Sequence, residues 1–277
     1  MWLAAAVMTA VCFGINNTLF KWSTRHSMSK QHIQFYFYMV AFGIMALYGW
    51  MTKSLHPSAT SMMLGALIGI CNATGNMQMS GAFEKGPASL TAPLVAVNAI
   101  FPVLAAGVVF GEHIPLLHWI GILCMLCSAA IIQYTPKVEK GNHEYIPWLF
   151  HIAMAIVSFG IVGILMKWCS VIGIGSLDLL TAMYGGGGLY LYWSCRKTIV
   201  HKREFRVGAT VAFFSVIGFS CYFYALTTGV ASIVFPVVSL NCLIVVFLGC
   251  YLFKERLKAY QLIGIATALC GLILTKL

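Results

Sequence analysis

Two asparagines, Asn98 and Asn241, each stand five residues after a proline, Pro93 and Pro236, inside long apolar runs. A proline within a helix removes one backbone hydrogen bond and frees the carbonyl four residues back. Those carbonyls belong to Ser89 and Ser232. Each Pro–Asn pair thus offers an amide and a free acceptor near a kink, chemistry suited to gripping a polar solute without net charge. The plainer role for such amides is to hydrogen-bond a neighbouring helix. Further amides lie in other apolar runs: Asn16 and Asn17 in one, Asn72, Asn76 and Gln78 in another. Asn72 and Asn76 are four residues apart, so on a helix they share a face. Tyr222 and Tyr224 supply hydroxyls in a later run, either to a polar cavity or to the membrane interface as anchors.

The charged residues indicate less. The seven acids (Glu84, Glu112, Glu139, Glu144, Asp178, Glu204 and Glu255) fall at the ends of apolar runs or between them. A carboxylate exchanging a proton for a cationic drug belongs in mid-span, and no acid takes that position. His151 is titratable and lies within a run, a candidate proton relay whose plainer role is a structural hydrogen bond. Lys21–Trp22 and Lys167–Trp168 end two runs. They read as mouth residues drawing in an anion, or as snorkelling lysines beside interfacial tryptophans. The ten cysteines are scattered through apolar runs, where cysteine packs as a small hydrophobe. Cys124 and Cys127 form a CxxC with no acid or histidine pair nearby, so no metal and no cofactor is expected. The dispersed histidines and acids do not assemble the cluster that a lipid-modifying membrane enzyme requires, which leaves that class a distant alternative.

The elements that carry these residues follow from composition. Hydrophobic residues make up 60% of the 277 positions and charged ones 9%, against roughly 25% charged in ordinary globular chains. Many runs approach the ~20 apolar residues that cross a bilayer as a helix. The net charge of +10 resides in short loops between them, so it speaks for orientation in the lipid bilayer and against nucleic acid. Ten helices are predicted, near residues 2–22, 32–51, 59–82, 88–110, 117–135, 146–167, 177–195, 207–227, 230–252 and 259–276. The first lacks a preceding basic residue and pairs with an internal segment, so it is expected to be a permanent helix and not a signal peptide. The glycine run Gly185–Gly188 allows either close packing or a flexible point.

The second half repeats the first. Residues 86–131 align without a gap on 229–274, sharing Pro93/Pro236, Asn98/Asn241, Glu112/Glu255 and Gly121/Gly264. Residues 11–22 align on 157–168 and share Phe13, Gly14, Leu19, Lys21 and Trp22 with their counterparts. The expected fold is an all-α integral membrane protein of ten transmembrane helices. Its repeats are residues 1–136 and 147–277, joined by a loop at 137–146. Five spans per repeat is an odd number, so the second copy enters the membrane upside down, giving inverted-topology repeats with both termini on one face. Of the 17 Lys and Arg residues, only Lys53, Lys167 and Lys276 lie on the terminal face. The positive-inside rule then places the termini outside.

The paired pattern resembles the EamA-type domain of the drug/metabolite transporter superfamily, present twice. It comprises Gly86-Pro87-Ala88-Ser89, Pro93, Gly111-Glu112 and Trp119–Gly121, then Gly229–Ser232, Pro236, Lys254-Glu255-Arg256 and Leu262–Gly264. The resemblance implies ten helices around a central cavity, alternating access, and a small organic solute moved without catalysis. Many members of that family are drawn with cytoplasmic termini, opposite to the charge count. The amides and tyrosines favour an amino acid or related metabolite, with anionic metabolites such as nucleotide derivatives or sugar phosphates as the alternative. The expected setting is a bacterial inner membrane, as monomer or homodimer.

Overall fold

The computed structural model describes residues 1–26, 28–85, 91, 94–133, 145–195, 202–253 and 258–275. Pro93, Ser89 and Glu255 lie outside the described residues. The described chain is helical, with no strand. In order it forms α1 (Trp2–Arg25), α2 (Lys30–Thr52), α3 (Ala59–Lys85), a 3₁₀ turn (Val97–Ala99) running into α4 (Ile100–Val108), and α5 (Leu116–Gln133). The second half forms α6 (Tyr145–Val171), α7 (Ser176–Cys195), α8 (Lys202–Thr228), α9 (Ala231–Ser239), α10 (Asn241–Phe253) and α11 (Ala259–Leu274).

Among the described residues five segments are long and apolar enough to cross a membrane: Trp2–Ser23, Lys30–Thr52, Tyr145–Val171, Lys202–Thr228 and Ala231–Tyr251. Leu94–Val108, Leu116–Ile132 and Ala259–Leu274 are shorter apolar helices. Large apolar side chains point outward over much of the surface, among them Trp50, Val108, Ile146 and Trp193. A surface of this kind is stable only against lipid, where apolar exposure costs nothing. The chain is an integral, multi-pass membrane protein.

Two predicted helices are not continuous. The first, 88–110, passes through the 3₁₀ turn Val97–Ala99. The run 230–252 breaks at Leu240 between α9 and α10. Pro236 lies inside α9 and has no N–H to give to Ser232, and the helix stops one turn later. Residue 204 also departs from expectation: α8 begins at Lys202, and Glu204 in its first turn is buried. Its Oε1 accepts the Ser29 N–H at 2.8 Å, joining the loop before α2 to the start of α8. An acid in the first turn of a helix also meets the positive end of the helix dipole.

The halves interlock by exchange. α1 packs on α8 and α3 on α6; α2 packs on α8 and α3 on α7; α5 packs on α11. Swapping the repeats turns each of the first two pairings into its mate. Single close approaches obey the same rule. A Cβ added at Gly75 would stand 2.8 Å from the Phe159 ring, and one at the equivalent Gly218 would stand 2.9 Å from Phe13. A Cβ added at Gly65 would stand 2.7 Å from the Leu179 carbonyl, and one at Gly208 2.9 Å from that of Ile33. A Cβ added at Gly121 would stand 2.7 Å from the Thr275 side chain, and one at Gly264 2.6 Å from that of Ile132. The loops also sort by parity: the one before α3 meets the start of α7, where the His56 N–H donates to Asp178 Oδ1 at 2.9 Å.

The glycine run resolves as close packing. Gly186 lies against the Ala66 backbone and Gly187 against the Tyr38 ring, while Gly69 of α3 leaves no room for a Cβ beneath the Met183 carbonyl. Small residues let helix backbones touch in lipid, where dispersion rather than water exclusion drives association.

Candidate functional site

A chain of aromatic rings runs through the core where the halves meet. Phe37 and Tyr38 of α2 meet Tyr184 of α7 at centroid distances of 5.9 and 6.1 Å. Tyr184 meets Phe219 of α8 at 6.3 Å, Phe219 meets Tyr222 at 6.3 Å, and Tyr222 meets Phe235 of α9 at 6.3 Å. Phe13 of α1 closes the cluster, 4.8 Å from Phe219 and 6.2 Å from Tyr222. Most of these contacts are edge-on, the arrangement the ring quadrupoles favour.

Polar atoms punctuate this seam. Asn72 Nδ2 donates to the Tyr38 hydroxyl at 2.7 Å, and the Tyr184 hydroxyl is 3.3 Å from Ser215 Oγ. Asn16 is buried, and its Oδ1 has no hydrogen-bond partner among the described residues. It lies three residues beyond Phe13 on α1, so the two share a helix face. An unpartnered buried carbonyl costs about 1–3 kcal/mol in a folded protein, so its retention beside aromatic faces suits a ligand's donor. Tyr38→Phe should lower stability by about 1–2 kcal/mol by stranding the Asn72 amide. Thermal unfolding of the purified protein in detergent, against wild type, measures it.

The paired asparagines take matching local roles. Asn98 Nδ2 donates to the Val95 carbonyl at 2.6 Å, and Asn241 Nδ2 to the Val238 carbonyl at 3.0 Å, each three residues back at a helix interruption. Here the halves diverge. Asn241 Oδ1 also accepts from Asn17 Nδ2 at 3.2 Å, whereas the residue equivalent to Asn17 is Gly163, packed against Pro102. Asn17 and Asn241 therefore join α1 to α10.

The remaining candidates disperse. Asn76 is half-buried one turn after Asn72. Gln78 Oε1 lies 2.5 Å from His151 Nδ1, which links α3 to α6 and gives that histidine a structural partner. Tyr222 is in the seam, but Tyr224 is exposed on the opposite side of α8 and does not line it. Trp22 stacks on His26 with centroids 4.2 Å apart, and Trp168 is half-exposed, edge-on to Phe110. Lys21 is half-buried at the end of α1. A surface cleft of about 400 Å³ lined by His56, Ser58, Ser61 and Asp178 lies away from the seam, at the loops before α3 and α7.

Lys167 corrects the expectation of a snorkelling lysine. It is buried, 9% exposed, and its Nζ lies 3.4 Å from Glu112 Oε1 and donates to the Leu226 carbonyl at 3.1 Å. Glu112 in turn accepts the N–H groups of Ala231 and Ser232 at 2.9 Å each, so its two oxygens cap the start of α9. Gly111, at φ +66°, makes the turn that aims it, and the Glu112 N–H returns to the Ala106 carbonyl at 3.0 Å. The first turn of a helix has free N–H groups and a positive dipole end, so a carboxylate is at home there. The recurrence of both charges at Lys21 and Glu255 was the available sign that they are not stray interfacial residues.

A lipid-facing helical bundle with exchange-packed halves and a polar-studded aromatic seam between them has the architecture of a membrane transport protein. The chain belongs to the EamA-like transporter family, which matches residues 1–134 and again residues 146–277. It is accordingly a membrane transporter of the drug/metabolite transporter superfamily. A solved chain described only as the crystal structure of a protein shares the fold, with a TM-score of 0.79 at 10% identity. The match covers 99% of this chain and 95% of that one. No curated protein matches the sequence.

Proposed function

We propose that the protein is a secondary transporter that moves a small organic solute, an amino acid or related metabolite, by alternating access between two inverted five-span repeats. The observation that carries this reading is the seam itself. Aromatic faces, tyrosine and serine hydroxyls and the open Asn16 carbonyl converge where first-half α1 and α2 meet second-half α7, α8 and α9. Apolar walls with a few convergent polar groups suit a zwitterion with an apolar side chain. The exchanged contacts Gly75–Phe159/Gly218–Phe13 and Gly65–Leu179/Gly208–Ile33 support a two-fold relation between the repeats, and an odd span count makes such repeats inverted. An anionic substrate would need an available cation, and Lys167 is committed to Glu112 and the Leu226 carbonyl.

Uptake into proteoliposomes tests this across amino acids, amines, nucleotides and sugars. An aromatic or aliphatic amino acid should move, and Asn16→Ala or Tyr222→Ala should each reduce that uptake about tenfold. Movement of sugar phosphates or nucleotides in preference to amino acids would overturn the substrate class. Uptake unaffected by both substitutions would remove the seam as the binding site.

A further inference from the structure

We propose that Glu112 and Lys167 form the gate on the face that carries the chain termini, closed when the Glu112 carboxylate seats on the start of α9. This rests on the alternating-access reading above. The contact joins the two halves at one end of the seam. Glu112 belongs to the first half, in the turn between α4 and α5; Lys167, Leu226, Ala231 and Ser232 all belong to the second. At Glu112 three interactions cross between the halves, all on its carboxylate: the Ala231 and Ser232 N–H groups at 2.9 Å and Lys167 Nζ at 3.4 Å.

Opening must admit water to Lys167 as well as to Glu112, since a buried lysine left without its carboxylate is costly. A rocking motion that parts the halves withdraws Glu112 into water at the membrane face, where its side chain is already 16% exposed. Lys167 stays behind with the Leu226 carbonyl at 3.1 Å, a bond within the second half that the motion does not break. Ser170 Oγ donates to the Lys167 carbonyl at 2.7 Å and lies 3.4 Å from that of Leu226. The released Ala231 and Ser232 N–H groups become accessible to water, the usual partner of free helix N-termini. Gly111 in the left-handed region places a conformationally permissive residue beside the moving carboxylate. α9 also leads directly to the seam, since Phe235 one turn on meets Tyr222. Loss of the cap at its first turn therefore acts on the helix that lines the path.

A buried ion pair holding two rigid parts together fits a two-state contact better than a contributor to stability, because its desolvation penalty offsets most of its attraction. Glu112 and Lys167 are positioning residues in this view and need not touch the solute.

The test uses the full-length protein in liposomes carrying Ser232→Cys, a position 1% exposed at the gate. A membrane-impermeant maleimide is added from each face in turn, and labelling is read site by site by peptide mass spectrometry. Buried Cys242 and Cys12, both 3% exposed, report general loosening. Adding Glu112→Gln, which keeps the side-chain shape but loses the charge and one acceptor, should raise labelling at position 232 at least tenfold from the terminal face alone. Lys167→Met should do the same, with Cys242 and Cys12 still protected. For any solute that moves, the maximal rate should change several-fold with little change in KM. Unchanged labelling at 232 in both variants overturns the gate, as does labelling that rises equally at Cys242 and Cys12 or from both faces. The accessibility assay needs no solute, so a wrong substrate class fails the uptake panel and leaves this result standing.

Discussion

Gly69→Leu is expected to yield no folded protein. Gly69 is where α3 crosses α7, and any Cβ there falls on the Met183 carbonyl, with the Gly187 nitrogen 2.8 Å away. Both obstacles are backbone, so neither can rotate aside as a side chain could. Overpacking in a core usually costs about 1–3 kcal/mol, and a collision with a helix backbone forces the helices apart and exceeds that range. The consequence is large because α3 makes its main packing with α6 and α7 of the other half. Separating α3 from α7 also pulls Asn72 from its place beside Tyr38 and Tyr184. Gly43→Leu is the matched control, because nothing lies within 4 Å of the Cβ it would add. Size-exclusion chromatography of detergent extracts should show a monodisperse peak for Gly43→Leu and aggregate for Gly69→Leu. A monodisperse Gly69→Leu protein would mean that the α3–α7 crossing is not as close as described.

Phe219→Ala is expected to lower stability by about 3 kcal/mol and to reduce transport along with it. Phe219 is buried and touches the rings of Phe13, Tyr184 and Tyr222, so it joins both halves of the seam. Its removal leaves a ring-sized void, and Phe→Ala in a core costs about 3–5 kcal/mol through lost contacts and incomplete collapse. The lower end applies here because lipid already solvates apolar side chains, leaving packing as the main loss. Phe213→Ala, on the same helix but with 57% of the side chain exposed outward, should change stability by less than about 0.5 kcal/mol. Thermal unfolding in one detergent compares the two directly. Equal effects would show that the seam is no better packed than the lipid-facing surface.

The helical segments were legible because long uncharged runs have one stable form in lipid. The predicted bounds match α1, α2, α3 and α7 closely. The break at Leu240 was only half-legible: Pro236 announced a disturbance, but the helix ends one turn after it, where Asn241 bonds the Val238 carbonyl. Among the candidate residues, Asn16, Asn72 and Tyr222 lie in or beside the seam. Tyr224 does not, because residues two apart on a helix point nearly opposite ways. Gln78 and His151 found each other across 73 residues, a pairing that no local spacing reveals. Phe37, Tyr38, Tyr184 and Phe219 were invisible as site residues, since an aromatic in an apolar run looks the same facing lipid or core.

Membrane character, the succession of helices, the duplication and the family are all written in the chain. These depend on composition and on periodic identities, which are properties of the chain read in one dimension. Which polar atoms have partners emerges only once the helices pack. Lys167 and Glu112 were read as residues at the ends of apolar runs or between them; Lys167 lies near the end of α6 and Glu112 in the turn between α4 and α5. Their meaning changed because the packing of the two halves buries the lysine and sets the carboxylate on a helix start 119 residues away. The cost of a charge in hydrocarbon depends on what stands within 4 Å of it, and for residues so distant in the chain that distance exists only after the helices have packed.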